Sequence, residues 1–148
     1  MILTLNRRAV LAGVATLTAT NTLAASHSAV FYRNPGCGCC EAWSKLMAEA
    51  GILVEMRDID DLNAFQKEMN IPADLMGCHA GIIDSYAISG HVPPADIKRL
   101  LSEKPVAMGL AVPGMPAGSP GMEGGGQDPY EVILFQADGT REVFARHT

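Results

Sequence analysis

An α/β fold, with a central mixed sheet flanked by helices, is predicted by three features of this 148-residue chain. Short runs of aromatic and β-branched residues alternate with stretches whose apolar residues recur at helical spacing. The order reads strand, loop, helix, strand, helix, two strands, helix, which is a βαβ unit followed by a ββα unit. A cysteine-rich motif falls at the first strand-to-helix junction, and in such a pattern that placement reads as thioredoxin-like. A hydrophobic content of 48% is compatible with a real core in one domain, so folding does not require disulfide staples.

The first 25 residues stand apart. Arg7 and Arg8 precede an uncharged stretch of apolar and small residues ending in "LAAS". This is the layout of a cleavable secretory leader, and the paired arginines partly match a twin-arginine signal. The stretch is too short and too rich in Thr and Ala for a permanent membrane span. Residues 26–148 are expected to form the mature domain, more acidic than the formal −5 of the whole chain once both arginines leave. Export into the periplasm would place the thiols in an oxidising space. No basic run or basic aromatic face suggests a nucleic-acid partner.

Along the domain, "AVFYRNPG" reads as a first strand entering a loop. In "CEAWSKLMAEAG", Trp43, Leu46, Met47 and Ala50 share one helical face, with Gly51 as the stop. "ILVEMRDID" begins apolar, as a buried second strand does. "DLNAFQKEMN" predicts a helix from Asp61, closed by Asn70 and Pro72. "HAGIIDSYAISGHV" predicts two strands joined at Asp84-Ser85. "PPADIKRLLSEKP" predicts a helix with Pro94 in its first turn and Pro105 beyond its end. Residues 111–129 are so rich in Gly and Pro that they are expected to be a loop and no central strand. "YEVILFQADGTREVFAR" predicts a closing hairpin turning at Asp138-Gly139.

Chemistry concentrates in the cysteines. Cys37, Cys39 and Cys40 fall in "CGCC"; Cys78 lies in "GCHAG". At a helix start, unpaired N–H groups and the helix dipole favour thiolate, which is both the nucleophile of disulfide exchange and the metal ligand. A redox couple needs only Cys37 and Cys40 and leaves Cys39 unexplained. Clustered thiolates suit Cu(I), which accepts two or three sulfurs and shares them between ions. Zinc prefers two separated ligand pairs, and iron–sulfur spacing is not matched. In a thioredoxin-like layout the loop before the third strand faces the first helix start, so Cys78 is expected opposite "CGCC". Thioredoxins carry a cis-proline at that point. Cys78 and His79 stand there instead, a departure that favours metal. A metal-free exported form with two plain disulfides is the bland alternative.

Secondary ligand candidates are His79, beside Cys78, and His91, opening "HVPP"; a lone histidine is more often a hydrogen-bonded structural residue. Met108, Met115 and Met122 fall seven apart, but their segment cannot be helical. Met115 and Met122 are thioether candidates for a Cu(I) ligand or gate, against an ordinary packing role.

Three blocks, "NPGCGCCEAW", "GCHAGIIDSYAISGHVPPADIKRLL" and "GLAVPGMPAGSPGME", resemble the CopG-type copper-resistance proteins, a family long labelled a domain of unknown function. The resemblance runs from about Ala29 to Phe144. It implies a thioredoxin-like fold, a CxCC motif at Cys37, Cys39 and Cys40, a further cysteine at Cys78, and copper bound by thiolates in the periplasm. It also implies a change of copper oxidation state there.

The expected function is therefore an exported Cu(I)-binding protein, acting by sequestration, by handover to a copper efflux or carrier protein, or by Cu(I)/Cu(II) interconversion. Two other classes remain: a thiol–disulfide oxidoreductase working through Cys37 and Cys40, and a zinc-stapled module.

Overall fold

The computed structural model describes residues 27–148, so the expected leader at 1–25 lies outside the described residues. The elements are β1 (His27–Arg33), α1 (Gly38–Glu49), β2 (Ile52–Asp58), α2 (Leu62–Glu68), a 3-10 turn (Ala73–Leu75), β3 (His79–Ile83), β4 (Tyr86–Gly90), α3 (Pro94–Glu103), β5 (Gly109–Val112), β6 (Tyr130–Phe135) and β7 (Arg141–His147). They build one seven-stranded mixed sheet in the order β2-β1-β3-β4-β5-β6-β7. β1 is parallel to β2 and antiparallel to β3, and β3 and β4 form a hairpin. This four-stranded half with its helices is the thioredoxin-like core, as expected. β5, parallel to β4, then carries the sheet on to the β6–β7 hairpin.

Period-two alternation sorts the strands between two cores. Ile83, Ile88, Leu110, Val112, Val132 and Leu134 pack with Trp43 and Met47 of α1 and Ile97 and Leu100 of α3. Their alternating neighbours Ala80, Ala87, Ala111 and Phe135 pack with Met69, Ile71 and Leu75, under α2 and the 3-10 turn. Met108 joins this second core as a packing residue.

Two expectations fail. β2, expected to be buried, is an edge strand of the sheet in which only Ile52 is buried and Leu53 is 54% exposed. Ala111 and Val112, assigned to the loop, belong to β5, an interior strand between β4 and β6 with every residue buried. A four-residue strand is too short to display a period, and its apolar run merges with the Pro113-Gly114 breakers. The rest of the stretch does form an irregular loop, 113–129.

Candidate metal centre

α1 begins at Gly38, with Cys37 as its N-cap, so Cys39 and Cys40 occupy the first turn. Arg33, the last residue of β1, holds the approach. Its Nη1 donates to the Cys37 carbonyl at 3.2 Å and meets Glu41 at 2.6 Å, while Nε donates to Asp58 at 2.8 Å. The carboxylates of Asp58 and then Glu41 hold the guanidinium above its usual range. Trp43, one turn further on, is fully buried and donates Nε1–H to the Val92 carbonyl at 2.9 Å. That bond ties α1 to the segment after β4.

Cys78 immediately precedes β3 and faces this helix start, as expected. Its Sγ lies 3.6 Å from Cys40 Sγ and 3.9 Å from Cys39 Sγ, and Cys39 Sγ lies 3.4 Å from Cys37 Sγ. Cys37 and Cys40 are joined as a disulfide with Cα atoms 5.4 Å apart, while Cys39 and Cys78 are free. Only one of the two disulfides considered from the sequence is therefore present. Cys40 is buried, and the other three cysteines are partly exposed.

Both candidate histidines reach the same corner. His91 Nδ1 lies 2.7 Å from the Pro120 carbonyl, which can only accept, so Nδ1 carries the proton. Nε2, 3.1 Å from Cys78 Sγ, is then a lone-pair site and accepts from the thiol. His79 Nδ1 lies 3.4 Å from the same sulfur. The His79 ring is fully buried, 4.4 Å from the Trp43 ring and 5.1 Å from that of His91 by centroids. Its Nε2 is buried without a hydrogen-bond partner. Burial, and then the neighbouring His91, push the His79 pKa down to about 3. Burial also lowers that of His91. The Cys78 thiol is pushed up to about 12 by burial, with Cys39 adding to the shift. Both imidazoles are thus neutral donors at ordinary pH.

Two donor groups share Cys78: Cys37, Cys39, Cys40 and Cys78 form one, and Cys78, His79 and His91 the other. Within each group the donor atoms lie within 4.8 Å of one another. The methionines sit differently. Met115 is 44% exposed on the loop. Met122 is half-buried and follows Gly121, whose backbone packs so closely on α1 that an added Cβ would stand 2.7 Å from the Cys39 carbonyl oxygen.

Several residues that shape the site escaped sequence reasoning. Arg33 and the Pro120 carbonyl had no local signal. Gln66 did have one: Leu62, Phe65, Gln66 and Met69 fall at i, i+3, i+4 and i+7, so an amide interrupts an otherwise apolar stripe.

A family model described as "Protein of unknown function, DUF411" matches residues 75–122. No curated protein matches the chain. Two solved structures are similar to it. "Copper resistance protein copG- Form 2" is 38% identical at a TM-score of 0.78, the match covering 82% of this chain and 98% of that one. "Copper resistance protein copG- Form 1" is 39% identical at a TM-score of 0.76, covering 81% and 96%. Identity at that level over most of both chains, with the same fold, places this chain in the family of copper resistance protein CopG.

Proposed function

We propose that the mature domain is an exported copper-binding protein of copper resistance, holding Cu(I) through Cys37, Cys39, Cys40 and Cys78. The observation that carries this reading is the convergence of four sulfurs from two distant parts of the chain, with donor atoms within 4.8 Å. Soft thiolates select Cu(I), and sulfurs so close together can bridge more than one ion. Nδ1 of His79, 3.4 Å from Cys78 Sγ, and the lone pair of His91 Nε2 add imidazole donors, which make Cu(II) more tolerable beside thiolates. That mixture suits Cu(I)/Cu(II) interconversion. The printed names of the similar structures support copper resistance as the setting.

Full use of the sulfurs requires the Cys37–Cys40 bond to open. An external dithiol supplies two electrons and two protons and leaves as a disulfide. Copper then displaces thiol protons as it binds. Met115 and Met122, on the loop crossing the site, are proposed to complete or gate it. The arginine-led leader supports export to the periplasm, and a copper efflux or carrier protein would receive the ion there.

The Cys37–Cys40 disulfide at a helix start favours a second reading, thiol–disulfide exchange on proteins. An anaerobic Cu(I) titration of reduced protein against a competing chelator separates the two. Wild type is expected to bind more than one Cu(I), with Cys39→Ser and Cys78→Ser each losing affinity or stoichiometry. Weak wild-type binding, or two unaltered variants, would sink the copper reading and leave Cys37 and Cys40 as a redox couple.

A further inference from the structure

The peptide before Cys78 is gripped from the opposite face of the sheet. Gln66, fully buried on α2, accepts from Gly77 N–H at 3.0 Å through Oε1 and donates from Nε2 to the Gly77 carbonyl at 3.1 Å. Ser89 Oγ, also fully buried, accepts from the same Gly77 N–H at 2.8 Å. The Ser89 hydroxyl has two acceptors at 3.0 Å, Gln66 Oε1 and the Leu75 carbonyl. Both polar groups of Gly77 are thereby bound by side chains rather than by a strand ladder.

The residue after Gly77 is Cys78, and the residue after Gly90 is His91. The two glycines touch: a Cβ on Gly77 would stand 2.5 Å from Gly90 Cα. A Cβ on Gly90, whose φ is +71°, would stand 2.4 Å from the Val112 carbonyl oxygen. This crossing sets Cys78 beside His91, and the amide–hydroxyl pair holds it there. From the α1 side, the Cys78 carbonyl is met by Cys40 Sγ at 3.5 Å.

We propose that Gln66 and Ser89 are positioning residues for Cys78, holding the sulfur shared by the two donor groups within reach of Cys40, Cys39 and His91. The inference rests on the copper-binding reading for its consequence, but the placement of Cys78 can be tested without metal. Partners of this kind, outside the ligands themselves, commonly change metal affinity by about 10–100-fold when removed.

The variants are Gln66→Leu, which keeps the shape and removes both hydrogen bonds to Gly77 and the one from Ser89, and Ser89→Ala, a smaller change should Gln66→Leu fold poorly. Leu134→Ala, in the β6 core, is the control for lost stability alone. On fully reduced protein, three quantities are compared: Cu(I) affinity by chelator competition, sulfur ligands per copper by X-ray absorption, and the alkylation rate of Cys78 without metal. Gln66→Leu is expected to weaken Cu(I) binding about tenfold or more, to lower the sulfur count per copper and to alkylate faster at Cys78. Ser89→Ala should follow in the same direction, and Leu134→Ala should leave all three unchanged. Wild-type values in both variants, with only the melting temperature lowered, would overturn the proposal. If wild type binds no Cu(I), the copper reading fails. The alkylation rate then decides alone: acceleration supports the positioning role and an unchanged rate overturns it.

Discussion

Cys78 Sγ has two other sulfurs within 3.9 Å and two imidazole nitrogens within 3.4 Å. Cys37 and Cys40 come from one loop-to-helix turn, and their pairing is local, three residues apart. Cys78 arrives from across the sheet and is the atom that makes a four-sulfur group of a CGCC turn. The free state of Cys39 and Cys78 has a direct consequence. Alkylation under denaturing conditions should label two thiols per chain in the form described and four after prior reduction, read by intact mass. Labelling of no thiols before reduction would mean that a Cys39–Cys78 disulfide has also formed. The histidines show why neighbourhood outweighs identity. Nothing local distinguishes His79 or His91 from a structural histidine, yet both end in contact with the same sulfur.

At the scale of elements, α1 presents the cysteines and α2 braces the peptide opposite them. α2 is short, seven residues, so its own propensity cannot sustain it and its ends matter. Asp61 caps it by accepting from Ala64 N–H at 2.8 Å. Asp61→Ala should cost about 1 kcal/mol of stability, seen as a lower urea midpoint with an unchanged slope. A midpoint equal to that of wild type would show that packing of Leu62 and Gln66 alone holds the helix. The loop 113–129 is the third element at the site. Its Pro120 carbonyl sets the His91 tautomer and Gly121 lies on α1. The Gly/Pro loop that carries Met115 and Met122 thus lies against the candidate site, and its Gly and Pro content allows a close approach that side chains would block.

The molecule as a whole is a thioredoxin-like half extended by β5, β6 and β7 into one sheet. An ion pair between Asp74, in the 3-10 turn after α2, and Arg141, opening β7, links the two halves. Arg141 holds the Asp74 carboxyl below the usual carboxylate range. The folded pKa is depressed, so the stabilisation is present above the unfolded carboxylate pKa and is lost as pH falls through the folded one. Both groups are solvent-exposed, so the effect is small and sensitive to salt. Asp74→Asn should lower the urea midpoint slightly at neutral pH and low salt. The difference should vanish in strong acid, and a difference that persists there would assign the effect to something other than charge.

The order βαβ–ββα, the three helices, the closing hairpin and the CGCC turn at a helix start were legible in the sequence, because each is written in local spacing, helix stops and turn residues. The opposition of Cys78 to that turn was legible too, once the order of elements implied the layout. β5 was not, since its four residues become a strand only through partners on both sides. Nor was the meeting of His79 and His91 at one sulfur, or the grip of Gln66 and Ser89 on Gly77. These depend on distances between segments far apart in the chain, and hydrogen bonds and sulfur contacts are decided over a few tenths of an ångström. Local pattern determines which elements form and which residues can do chemistry; only the packing of those elements decides which atoms meet.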